Sequence, residues 1–93
     1  MEIKNNEISR QFELRTETEK ISVEYSFQEK KLFLTRINCN NECNKELVEY
    51  LLKDIMKLVE EKRWRVVPTK PDISLFFKKN PDYRAFLAPG IRI

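Results

Sequence analysis

The chain has 93 residues, 41% of them apolar and 35% charged, with a net charge of +3. That is one domain with a modest core and a well-solvated surface, and six Phe, three Tyr and one Trp argue against disorder. It has no His and only one Gly, Gly90, which excludes Ser-His or Cys-His dyads, His-bound metal and glycine-rich phosphate cradles.

Residues 1–10 are polar, carry no apolar leader run and read as a lead-in prone to fraying. Phe12 and Leu14 alternate with Gln11, Glu13 and Arg15, a short half-buried strand. The polar run 16–19 is a turn. Ile21, Val23, Tyr25 and Phe27 then alternate with Ser22, Glu24, Ser26 and Gln28, the clearest strand signal in the chain. Gln28 to Lys31 lacks Gly, which predicts a loop of about four residues rather than a two-residue primed turn. Lys31 to Ile37 places Leu32 and Leu34 on one face and Phe33, Thr35 and Ile37 on the other. Apolar residues on both faces predict an inner strand covered on both sides.

Residues 38–44 form a loop in which Asn41 or Asn44 can cap a helix. Cys39 and Cys43 lie in it. Two cysteines without His do not complete a zinc site, and the composition predicts two free thiols in a reducing, cytoplasmic compartment. A long helix follows to about Arg63, with an apolar stripe of Leu47, Val48, Leu51, Leu52, Ile55, Leu58 and Val59. Glu49 and Lys53 are a favourable pair on its polar side.

Trp64 to Val67 reads as a fourth strand ended by Pro68. A strand, a helix and a strand in succession predict a parallel crossover. Thr69 can cap a second helix with Pro71 and Asp72 in its first turn and Ile73, Phe76 and Phe77 inward. Asn80 can cap a third short helix with Tyr83, Phe86 and Leu87 inward, and Ile91 and Ile93 offer a last edge strand. The fold class is α+β, a mixed α/β sandwich over residues 1–93. It comprises an antiparallel three-strand meander, a long helix, a parallel fourth strand and two short C-terminal helices. No stretch approaches the ~18 apolar residues of a membrane span.

The order of elements resembles the GNAT N-acetyltransferase superfamily, above all its short stand-alone branch. The carrying segments are Phe12-Glu13-Leu14, the Leu34-Thr35 strand end, Glu46-Leu47-Val48, Arg65-Val66-Val67-Pro68 and Phe76-Phe77-Lys78-Lys79-Asn80-Pro81-Asp82-Tyr83. The resemblance covers roughly residues 11–87. It implies acetyl transfer from acetyl-CoA to an amine, with a small amine or a protein amine as acceptor. It also implies a cleft between the Lys31–Ile37 and Arg65–Val67 strands. The pantetheine arm would follow Leu34, Thr35, Arg36 and Ile37, and the pyrophosphate would meet Cys43, Asn44, Lys45 and Glu46. No metal is implied, and the protein would be a monomer or a weak homodimer.

The chain departs from that pattern at three places. There is no Gly between Thr35 and Leu47, and the interval is about five residues shorter than in active relatives, where glycine lets backbone approach phosphate. Lys70 stands where many short relatives carry a cysteine. Arg36-Ile37-Asn38-Cys39-Asn40 stands where they often carry His-Thr-Glu-Val-Pro. Lys45 adds a charge favourable to an anion, while Glu42 and Glu46 oppose one. These departures open a second reading, a non-catalytic binding or interaction module on the same fold.

For catalysis Glu24 is a candidate base, Tyr83 a candidate proton donor to a thiolate, and Lys70 a candidate anion contact or amine. Each also has a plain structural role: solvated strand residue, ring on the core, and exposed helix start. Arg63, Trp64 and Arg65, with Lys78, Lys79 and Arg84 elsewhere, offer a stacking and phosphate surface. The mild charge excess does not make nucleic acid the expected partner.

Overall fold

The computed structural model describes residues 2–40 and 42–91. In chain order the elements are β1 (Glu2–Asn6), β2 (Gln11–Arg15), β3 (Lys20–Gln28), β4 (Lys31–Cys39), α1 (Lys45–Lys62), β5 (Arg65–Pro68), α2 (Pro71–Lys79) and a 3-10 helix (Pro81–Phe86). Among the described residues the strands make one five-stranded sheet in the order β1-β2-β3-β4-β5. Neighbours are antiparallel except β4 and β5, which are parallel, as the crossover through α1 requires. The fold is α+β, with a mixed sheet and one long helix.

Several expectations are corrected. The first is the N-terminal lead-in, which is strand β1, paired along β2 from Glu2↔Arg15 to Asn6↔Gln11. Its polar sequence hid it, because an edge strand is held by ladder hydrogen bonds and needs to bury little side chain. The second is the β3–β4 connection. Gln28 pairs with Lys31, leaving a two-residue loop in which Glu29 and Lys30 both have positive φ, 51° and 63°. This is the backbone of a primed turn, whose twist matches that of the strands. Sheet twist overrides the usual preference for Gly or Asn.

The third correction concerns the phase of β4. Its register against β3 shifts between Glu24 and Tyr25, with Arg36 opposite Glu24 and Leu34 opposite Tyr25. Thr35 is the extra residue, and its hydroxyl donates to the Glu24 carbonyl at 3.1 Å. A bulge of this kind moves the following residues by one position. Ile37 and Cys39, opposite Val23 and Ile21, therefore share the face of Leu32 and Leu34 instead of opposing it.

That face carries the core. Phe12, Leu14, Ile21, Val23, Leu32, Leu34 and Val66 of the sheet join Leu51, Leu52, Ile55, Met56 and Val59 of α1 and Ile73, Phe76 and Phe77 of α2 in one buried cluster. The 3-10 helix adds Tyr83 and Phe86 at its margin. The other face is not lined by a second core. It carries Lys4, Gln11, Glu13, Ser22, Glu24 and Asn38, with Phe33 and Val67 half-buried among them. Expecting β4 to be covered on both sides read the local apolar pattern without the bulge.

Helix α1 is capped at both ends. The Asn44 side chain accepts from the amides of Glu46 and Leu47. At the other end Arg63 is left-handed (φ 58°), and Trp64 N–H reaches the Val59 carbonyl at 3.0 Å. This is a Schellman-type closure without glycine. The alternative cap Asn41 lies outside the described residues. Helix α2 begins one residue later than expected. Lys70 occupies its N-cap with no side-chain cap, and Thr69 instead donates its N–H and hydroxyl to the Leu34 carbonyl at 3.1 and 3.0 Å. Asn80 does not cap the final helix with its side chain. It closes α2, donating Nδ2 to the Phe76 carbonyl at 2.9 Å. The last edge strand was expected on Ile91 and Ile93. Ile91 is irregular, and Arg92 and Ile93 lie outside the described residues.

Candidate functional site

The ends of β4 and β5 define the site. Strand β5 pairs with β4 from Lys31↔Arg65 to Leu34↔Pro68 and stops there. The N–H and hydroxyl of Thr69 make the last contact, on the Leu34 carbonyl, and the chain then turns into α2 at Pro71. Strand β4 runs on through Thr35–Cys39 with β3 on one side only. The alternation of the β3 ladder, fixed by Asn40 N–H on the Lys20 carbonyl, turns the N–H and C=O of Ile37 and Cys39 toward the free side.

A cavity of about 230 Å³ adjoins this free edge. Ile37 lines it from β4, Val48 and Leu52 from α1, and Leu75 and Phe76 from α2. Charged residues ring it: Lys45 and Glu49 on α1, Asp72 and Lys79 on α2. Leu75 is 47% exposed, outside the Ile73-Phe76-Phe77 stripe that anchors α2. The sequence reading did not include this α2 wall. Its signal was an apolar residue out of phase with the helix's own stripe.

The sequence-picked residues divide between the strand and the helix start. Leu34 is buried and its carbonyl is taken by Thr69. Thr35 is the bulge. Arg36 is exposed and opposite Glu24, on the side of β4 away from the core. Ile37 is half-buried and lines the cavity. Cys43 also lines the cavity and is bonded to Cys39, with Cα atoms 5.4 Å apart. The expectation of two free thiols is thus corrected. The bulge brings Cys39 onto the helix-covered face, within bridging distance of the turn into α1.

Asn44, Lys45 and Glu46 begin α1. The Asn44 Oδ1 accepts from Glu46 N–H at 3.0 Å and from Leu47 N–H at 3.3 Å. Two of the orphan donors that make a helix start attractive to anions are therefore engaged by the chain itself. With no glycine to turn the loop backbone toward a phosphate, the phosphate end of a nucleotide does not fit this corner. The free edge of β4 offers the N–H and C=O groups of Ile37 and Cys39 as alternating donors and acceptors.

No family model, curated protein or solved structure matches the chain. Among the described residues, no group of three or more His, Cys, Asp and Glu is placed to hold a metal ion, and no helix is long and apolar enough to cross a membrane.

The catalytic candidates are dispersed. Glu24 faces away from the cavity and accepts a hydrogen bond from Asn38 Nδ2. Tyr83 stacks on Phe76 with ring centroids 5.4 Å apart, at the margin of the core. Lys70 is exposed at the start of α2, where its carbonyl accepts from the amides of Ile73 and Ser74.

The most perturbed carboxylate lies elsewhere, at Glu13, 5% exposed on the polar face. A hydrogen bond from Gln11 Nε2 at 2.5 Å is the main cause holding its carboxyl below the ordinary carboxylate range. Asn6, Lys20 and Lys4 reinforce the shift, and desolvation opposes it. It is a structural network, remote from the cavity.

Proposed function

We propose that the protein is a non-catalytic binding module with a GNAT-like order of elements, receiving an extended, amide-bearing ligand along Thr35–Cys39 of β4. The observation that carries this reading is that β4 outruns β5 beside an apolar cavity lined by Ile37, leaving the backbone of Ile37 and Cys39 on the side where β5 no longer pairs. Strand addition at such an edge draws affinity from main-chain hydrogen bonds, and a neighbouring pocket selects one side chain or apolar segment. Leu75 and Phe76 supply that pocket wall. Engagement of the Glu46 and Leu47 amides by Asn44 weighs against a phosphate-bearing ligand.

A second reading, acetyl transfer from acetyl-CoA to an unidentified amine, is favoured by one arrangement. The parallel β4–β5 pair parts next to the start of α1, where the superfamily resemblance puts its cofactor. Titration with pantetheine and with acetyl-CoA, followed by backbone amide NMR, separates the two. The binding-module reading expects saturable shifts centred on Ile37 with similar affinities for both compounds. Acetyl-CoA binding at least about tenfold tighter would replace it with the transferase reading. No saturable shift in residues 34–46 with either compound at millimolar concentration would overturn both.

Cytoplasmic residence belongs to this proposal as well. The Cys39–Cys43 bond opposes it, because disulfides are uncommon in reducing compartments. Alkylating the protein in intact cells before lysis tests the point: modified cysteines fit the cytoplasm, and protected ones fit an oxidising compartment.

A further inference from the structure

The larger cavity, about 640 Å³, lies at the opposite end of α1 from the β4 edge. Its volume falls in the range of about 300–1,000 Å³ typical of small-molecule sites. Its walls are aromatic. Phe12 and Tyr25 pack with ring centroids 4.7 Å apart, and Phe27 and Trp64 with centroids 4.5 Å apart. Leu32 and Leu58 close the floor. Phe27 is 43% exposed although it continues the buried row of Ile21 and Val23, so α1 ends too early to cover it.

The polar groups at this cavity are few. The Tyr25 hydroxyl donates to Asn5 Oδ1 at 2.8 Å. Two cations, Arg10 and Lys62, and one acid, Glu7, also line it. Among the described residues the ion pairs are Lys4–Glu13 and Lys53–Glu49, so neither lining cation has a carboxylate partner. Arg10 is held in the β1–β2 turn in left-handed conformation (φ 53°), with its carbonyl accepting from Tyr25 N–H at 2.9 Å. Lys62 is the last residue of α1. The cations thus stand on two separate elements that flank one aromatic recess.

We infer that this recess is a binding site for a flat aromatic molecule carrying an anionic group, such as a carboxylate, sulfonate or phosphate. The ring system enters between the Phe27–Trp64 and Phe12–Tyr25 pairs, where burial and offset or edge contacts favour a planar ligand. The anionic group meets Arg10 and Lys62, which are exposed at the rim of the recess and outnumber the one acid there, Glu7. Phe27 and Trp64 are the specificity-determining surface, and the two cations set the sign of the ligand. This site is independent of the β4 edge and uses none of its residues.

Trp64 is the only tryptophan in the chain, so its indole N–H gives one resonance that reports on the cavity. The experiment titrates the full chain with 2-naphthalenesulfonate and, separately, with 2-naphthylmethylammonium, a cation of similar shape. The expected result is a saturable shift of the Trp64 indole resonance, with the sulfonate bound about tenfold more tightly than the ammonium. Lys62→Glu should weaken sulfonate binding about tenfold and leave the ammonium's affinity equal or improved. Lys62 is exposed, so the variant keeps the core intact, and an unchanged set of core methyl resonances verifies this. A linear, non-saturating shift at millimolar sulfonate would overturn the proposal. So would equal affinity for the two ions, or a Lys62→Glu variant that binds the sulfonate as the parent does.

Discussion

The two halves of β4 belong to one continuous strand and have different surroundings. From Lys31 to Leu34 it is an inner strand, with β3 on one side and β5 on the other. From Thr35 to Cys39 it is an edge strand, because β5 has ended at Pro68. Two local features make the change. Thr69 terminates the parallel ladder on the Leu34 carbonyl, and the Thr35 bulge keeps Ile37 and Cys39 facing the helices after the change of phase. Between them they leave a strand edge open without exposing the core beneath it. The bulge and the charged Arg36 also make the edge a poor template for unspecific pairing.

The largest difference between the halves should appear on truncating their apolar side chains. Leu34 is fully buried, and Leu34→Ala should cost about 3 kcal/mol in urea unfolding. Ile37 is half-buried on the cavity wall, and Ile37→Ala should cost about 1 kcal/mol. Equal costs would mean that the second half is as deeply built in as the first. Next, the disulfide ties the open half to the start of α1. Replacing both Cys39 and Cys43 by Ser should lower stability by about 2 kcal/mol through the short loop it closes. An unchanged urea midpoint would show that β4 and Asn44 hold this corner without it.

A smaller effect is expected from the cap. Asn44→Ala removes the acceptor for the Glu46 and Leu47 amides and should cost about 1 kcal/mol. Glycine at the same position should cost only a few tenths, and a full loss there would put the effect outside the cap. The smallest effect lies on the polar face, at Glu13, and depends on pH. Its carboxyl titrates lower in the folded protein than in the unfolded chain. Its contribution is complete above the unfolded value and disappears as pH falls through the folded value. Glu13→Gln should therefore flatten the acid limb of the stability curve and leave its slope near neutral pH unchanged. An acid limb identical to the parent's would assign that limb to other groups.

Much of the fold was legible because its signals are local. The alternation from Ile21 to Phe27, the stripe of α1 and the Val66-Val67-Pro68 stop all specify their elements within a few residues. The missed features depend on distant partners. β1 is nearly all polar and is a strand because β2 pairs with it. The phase of β4 beyond Leu34 depends on a hydroxyl reaching Glu24 across the sheet. Glu29 and Lys30 take positive φ because the strands they join are twisted.

The candidate site divides the same way. Ile37, Cys43 and Lys45 were among the residues that the family resemblance implied, Ile37 on the strand and the other two at the start of α1. The α2 wall, with Asp72, Leu75 and Lys79, becomes visible only when α2 is packed against β4. The aromatic recess escaped notice because its rings come from β2, β3 and Trp64, which lies between α1 and β5. The sequence places Trp64 at the start of a strand, and its pairing with Phe27 requires the sheet to exist.

Amide hydrogen exchange along β4 tests the central assertion, that the strand changes from inner to edge at Thr35. The amide of Leu34 should exchange only through global opening, as the parallel ladder with β5 requires, whereas the amides of Ile37 and Cys39 should exchange orders of magnitude faster through local fluctuation. Protection of Ile37 equal to that of Leu34 would mean that its N–H already has a partner, and the open edge would not exist.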